Sequence, residues 1–164
     1  MRSARLPASV LVALALLPLA MGACTMPMGG RSAPEPAPVP AALPPSFPAE
    51  ELVGRWGLAA YHKDSDRART EIAARGHCKQ PYVIGRGPTG GVMMHLADTA
   101  QPEELKVKGG PGGKNYIGPD PQPGGPRDRE VVSFDGRVLL LRWIDPEVSG
   151  RYGTMIYVRC GPKA

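Results

Sequence analysis

Hydrophobic and polar positions change their rhythm along the chain. Residues 10–17 form an unbroken apolar run, Val-Leu-Val-Ala-Leu-Ala-Leu-Leu, with Arg2 and Arg5 before it and no further charge until Arg31. Between residues 24 and 49 no periodicity survives, and Pro34, Pro36, Pro38, Pro40, Pro44, Pro45 and Pro48 recur among alanines. Proline removes a backbone donor and fixes φ, so this stretch predicts an extended, semi-rigid spacer. From residue 50 onward short apolar runs alternate with polar positions, as half-buried strands do.

Within that last part, residues 52–61 read as a first strand. Residues 64–75 predict a short helix, capped by Asp64, Ser65 or Asp66, with Ala68 and Ile72 on one face and Gly76 as a left-handed stop. Residues 82–84 and 92–97 predict two strands around the turn Gly87-Pro88-Thr89-Gly90-Gly91. Residues 105–108 alternate apolar with charged, as a half-exposed strand should. Residues 109–126 hold 7 Gly and 5 Pro and read mainly as a mobile loop, with a short strand over 114–117.

The clearest unit is a hairpin. Residues 130–134 and 137–144 flank Asp135-Gly136, a pair that favours a two-residue type I′ turn and sets Phe134 opposite Arg137. That register places Val132, Phe134, Leu139, Leu141 and Trp143 on one face. Val131, Val138 and Leu140 line the other, an apolar outer surface in need of cover. Residues 153–160 complete the set, with Thr154, Ile156, Val158 and Cys160 alternating against Met155, Tyr157 and Arg159. The prediction is a mainly β fold: a small antiparallel β-barrel or curled sheet of six to eight strands with one short helix, over residues 50–164. Closure into a barrel would also remove exposed strand edges.

Composition narrows the class further. The chain has 164 residues, of which 21 are Gly and 20 Pro, while aromatics are only 5%. That excludes a helical bundle, a coiled coil and a multi-span membrane protein. The formal charge is +5; without Arg2 and Arg5 the rest carries 18 basic against 15 acidic residues, or +3. These charges are interspersed rather than gathered into the basic stripe that phosphate neutralisation requires, which argues against nucleic acid as a partner.

The first 23 residues read as a signal peptide. The apolar run suits its hydrophobic region and is shorter than the roughly 20 residues of a membrane span. It leads into Leu19-Ala20-Met21-Gly22-Ala23-Cys24, and small residues directly before a cysteine resemble the lipobox of bacterial lipoproteins. The resemblance implies that Cys24 receives a diacylglycerol on its thiol, becomes the first mature residue and is acylated on its amine, with palmitate-class chains. Residues 24–49 would then be a lipidated N-terminus and linker. Thr25, where sorting to the inner membrane uses Asp, implies the outer membrane, with the domain facing the periplasm. Several acyl chains anchor stably where one does not. Taken without the resemblance, the segment also suits an ordinary secretory signal leaving a free Cys24, or an uncleaved anchor.

Three cysteines are an odd number for an exported chain. With Cys24 assigned to lipid, Cys78 and Cys160 remain as a candidate disulfide in an oxidising compartment, the alternative being two buried free thiols. Gly54-Arg55-Trp56 resembles the G-x-W that opens lipocalins and related calycin barrels. The resemblance implies that the tryptophan closes one barrel end and that an arginine near the C-terminus packs across its ring. Arg159 holds that place in chain order. Trp56 and Arg159 are thus candidate barrel-end or ligand-binding residues, although Trp56 also reads simply as a core aromatic. The same opening, the short domain and one disulfide are similar to small periplasmic metalloprotease-inhibitor barrels.

Catalytic patterns are sparse. His62, His77 and His95 form no H-x-x-x-H pair, and no G-x-S-x-G or phosphate-binding G-x-x-x-x-G-K occurs. Met93, Met94 and His95 offer copper-ligand chemistry, but successive strand residues point to opposite faces, so core Met and an exposed His are expected. Glu103 and Glu104 alternate in the same way. The expectation is a non-enzymatic envelope lipoprotein, with no cofactor and no metal, that binds another envelope component. The alternatives are a lipocalin-like carrier of a small apolar ligand and a periplasmic protease inhibitor.

Overall fold

Alternation of side chains becomes a closed barrel of eight antiparallel strands in the computed structural model, which describes residues 43–161. In chain order the strands are β1 (Gly54–Tyr61), β2 (Tyr82–Arg86), β3 (Val92–His95), β4 (Pro102–Gly109), β5 (Asn115–Gly118), β6 (Arg129–Phe134), β7 (Val138–Trp143) and β8 (Thr154–Arg159). Each pairs with the next, and β8 returns to β1 with Trp56 opposite Arg159 and Tyr61 opposite Thr154. A 3-10 turn, Ala49–Leu52, leads into β1. No helix among the described residues is long and apolar enough to cross a membrane.

Two apolar clusters hold the fold. Inside the barrel lie Leu52, Trp56, Ile84, Val92, Met94, Leu105, Ile117, Leu139, Leu141 and Tyr157, among others. Outside it, Leu140, Ile156 and Val158 pack with Tyr61 and Ala74, with Val138 against them. The helix α1 (Arg67–Gly76) supplies Ala74 and covers the second face of the hairpin. It approaches closely at Gly57, where a Cβ would stand 1.9 Å from the Ala74 carbonyl oxygen. Cys78 and Cys160 are disulfide-bonded just beyond α1 and β8, with Cα atoms 5.5 Å apart.

Several local expectations are corrected. Ala74, not Ala68 or Ile72, is the buried face of α1, and Ile72 is 71% exposed. Gly76 has φ −65, so it is not a left-handed stop; the chain tightens into a 3-10 turn, His77–Lys79. None of the three cap candidates caps α1 with its side chain: Asp64–Asp66 forms a preceding 3-10 turn, and Asp66 accepts at its main-chain carbonyl from the Thr70 hydroxyl. A second helix, α2 (Pro146–Tyr152), has an explicit start, because Asp145 accepts from the Glu147 and Val148 amides and Pro146 fits the first turn. Lys108 is 4% exposed rather than on a wet face of β4. Its ammonium donates to Asp128 at 2.6 Å and to the Asp120 and Gln122 carbonyls, tying down the Gly- and Pro-rich segment after β5.

The hairpin register also differs. Phe134 faces Leu139, Ser133 faces Leu140, and Val131 then faces Leu141, so Val132 is an extra residue in a β-bulge. Asp135 explains the wider turn: its carboxylate accepts from the Arg137 and Val138 amides, and Gly136 alone in the turn takes a positive φ. Below the bulge the parity of β6 is reversed. Val131 and Arg129 share the inward row with Leu141 and Trp143, while Glu130 pairs outside with Lys114 and Arg142.

Candidate functional site

The two barrel ends differ in how their polar groups are satisfied. At the end where β1 begins, Trp56 is fully buried and its indole donates to the Leu52 carbonyl at 2.9 Å. The Arg159 guanidinium lies over the Trp56 ring, 4.1 Å from its centroid. Its nitrogens donate to the Gly136 and Val53 carbonyls at 2.8 and 3.1 Å, and to the Glu51 carbonyl. These bonds fasten the Ala49–Leu52 turn and the β6–β7 turn over that end. An open depression of about 820 Å³ flanks it, lined by Ser46, Glu51, Asp135, Arg137 and Arg159 among others, of which Arg159 and Asp135 already serve the backbone. That end is built as a closure.

The opposite end is a mouth, formed where β3, β7 and β2 meet the segment 96–101 and α2. A cavity of about 300 Å³ opens there, lined by Leu58, Tyr82, Arg129, Trp143, Met155 and Tyr157, with His95 and Leu96 at its edge. Arg129 enters it because the Val132 bulge turns it inward. It is 1% exposed, and its guanidinium stacks 4.3 Å from the Trp143 ring centroid. One of its Nη groups donates to the His95 carbonyl, while Nε has no partner. The Trp143 indole N–H, on a side chain 6% exposed, has none either. Asp128, the adjacent carboxylate, is already paired with Lys108, and no described carboxylate forms an ion pair with Arg129.

Neighbouring groups shape this mouth. Tyr157 is buried, which pushes its hydroxyl pKa up to about 12, although nearby Arg129 pulls it back. It remains a neutral hydroxyl, 3.7 Å from the Met155 sulfur. The Tyr82 hydroxyl accepts from the His95 amide at 2.9 Å and lies 3.3 Å from the His95 Nδ1. Across the opening, Asp98 is the one described non-glycine residue with positive φ, at 59°. Its carboxylate accepts from the Tyr152 hydroxyl at 2.6 Å and from both Arg151 nitrogens at 3.2 and 2.7 Å. These bonds hold its pKa below the usual aspartate value and latch segment 96–101 to α2.

No family model, curated protein or solved structure matches the chain.

Of the residues singled out from sequence, Cys78 and Cys160 are joined, and Trp56 and Arg159 are in contact at the closed end. Cys24 lies outside the described residues. Met94 is buried and His95 exposed, and the described residues contain no cluster of three or more His, Cys, Asp or Glu side chains suited to a metal. The Glu104 carboxylate is occupied in bracing the β2–β3 turn through the Thr89 and Gly91 amides. The sequence alone does not reveal Arg129 and Trp143 as a site pair, because a two-residue-turn register has no place for the bulge at Val132. The only prior signal was apolar side chains on both parities, Val131 beside Val132 and Phe134.

Proposed function

We propose that this chain is a non-enzymatic, lipid-anchored binding domain of the bacterial cell envelope, held at the outer membrane through Cys24, with its barrel facing the periplasm. Of the ways such a domain binds, the geometry favours a small ligand in the barrel mouth. One observation carries that preference: a cavity of about 300 Å³ whose wall includes a buried guanidinium and a buried indole with unpartnered N–H groups. Ligand pockets combine mainly apolar walls with a few fixed polar groups in this way. The volume lies at the small end of the usual range, so the ligand is small. The rest of the interior is filled by side chains, which distinguishes this mouth from a deep open cup.

Two measurements test the reading. Cys24→Ala should move the chain from the membrane fraction to the soluble periplasmic fraction; persistence in the membrane refutes the anchor. Native mass spectrometry of the full chain, gently extracted, should show an added small mass that is lost on denaturation. A bare mass after extraction from several growth conditions would return the search to protein partners.

A further inference from the structure

We infer that the barrel mouth is a specific site for a small organic monocarboxylate with a compact apolar or aromatic body, its head bound by Arg129 and Trp143; this rests on the small-ligand reading above. A guanidinium 1% exposed is costly to hold without a counter-charge, and buried N–H groups without acceptors add to that cost. Stacking on Trp143 offsets part of it but engages only the face of the guanidinium. Its edge still carries donors: one reaches the His95 carbonyl and another the neutral Tyr157 hydroxyl, while Nε has no acceptor and none of them meets a negative charge. A carboxylate supplies what is missing, a negative charge and lone pairs for both the guanidinium edge and the indole N–H.

The remainder of the cavity decides the body of the ligand. Leu58, Leu96, Met155 and the rings of Tyr82 and Tyr157 present carbon rather than charge. Tyr82 and Tyr157 meet edge to face at 5.7 Å, a wall suited to a planar group. With a single unpaired cation in the wall, one negative charge is matched and a second would be buried alone. Asp98 also lines the cavity, but its carboxylate is already paired with one cation, Arg151, so it does not neutralise the interior.

Isothermal titration of the full, disulfide-intact chain in a maltoside detergent, with empty micelles as the blank, separates the possibilities. The probes are 2-naphthoate and its neutral isostere 2-naphthamide at pH 7.5. The acid should bind at least about ten-fold more tightly than the amide, as expected for a charge-assisted contact in a dry site. Arg129→Met should remove that preference, Arg129→Lys should retain part of it, and Trp143→Phe should weaken the acid several-fold while keeping the ring stack. Equal affinity for acid and amide in the unaltered chain overturns the carboxylate site and leaves the small-ligand reading standing. Absence of heat with both probes also overturns the carboxylate site, and joined to the absence of a co-purifying mass it overturns the small-ligand reading as well.

Discussion

Replacing Asp128 with Ala is the most informative perturbation of stability. Asp128 is fully buried, and its two oxygens accept from Lys108 at 2.6 Å and from the Gly124 and Gly125 amides at 2.8 and 3.3 Å. Gly118 makes room for it, since a Cβ there would fall 1.7 Å from the Asp128 oxygen. Removing the carboxylate leaves an ammonium 4% exposed with only two carbonyl partners. Breaking one side of a buried pair costs about 3–5 kcal/mol, a large part of the 5–15 kcal/mol typical of a domain. With an m-value near 1.5 kcal/mol/M, the urea midpoint should fall by about 2–3 M. The double variant Lys108→Met with Asp128→Ala removes both charges, so its loss should be smaller than the sum of the single losses by about 2 kcal/mol or more. A midpoint shift under about 0.5 M for Asp128→Ala would refute the reasoning. It would mean that Lys108 swings out to water and that the pair organises nothing.

Three further outcomes are expected. Cys78→Ser with Cys160→Ser opens a cross-link between residues 82 apart in sequence, and chain entropy assigns it roughly 4 kcal/mol, so calorimetry should show melting about 10–20 °C lower. Arg159→Met loses three main-chain bonds and the stack on Trp56; a stability loss of about 2–4 kcal/mol with a red shift of tryptophan emission is expected, and unchanged emission would show that the closed end does not depend on it. Desolvation raises the Glu104 pKa, but bonds from Gly91, Thr89 and Lys106 outweigh it and hold the folded value at about 2 against an ordinary 4.5. Its folded value is the lower one, so its contribution is full above about pH 4.5 and is lost as pH falls towards 2. Urea midpoints should therefore drop further between pH 5 and pH 2 in the native chain than in Glu104→Gln.

The barrel was legible in sequence wherever side-chain alternation was strict. β7 and β8 divide as expected, with Leu139, Leu141 and Tyr157 inside and Leu140, Ile156 and Val158 outside beneath α1. The disulfide followed from a cysteine count. What stayed hidden depended on contacts distant along the chain. Lys108 looked solvent-facing because its partner, Asp128, stands 20 residues away across a Gly- and Pro-rich stretch. α2 went unread because seven residues give too little periodicity, although Asp145-Pro146-Glu147 carries a helix start. The mouth was the least legible part, since one extra residue, Val132, decides whether Arg129 faces the barrel interior or water. Trp56 and Arg159, the residues that a G-x-W motif and chain order make conspicuous, stand at the opposite, closed end.

The seam between β1 and β8 has a consequence for the order of events during synthesis. Its partners, such as Trp56 and Arg159, stand about a hundred residues apart, so the barrel closes by the most non-local pairing it contains. A chain made from its N-terminus has seven strands in hand before β8 emerges, and until then the sheet has two raw edges of the kind that invite pairing with other chains. Cys160 arrives directly after β8, beside the Cys78 that α1 has already placed. Oxidation of this pair then records that closure has taken place. A chain that stops short of residue 154 keeps both edges, exposes the face beneath α1 and leaves Cys78 with no intramolecular partner among the described residues.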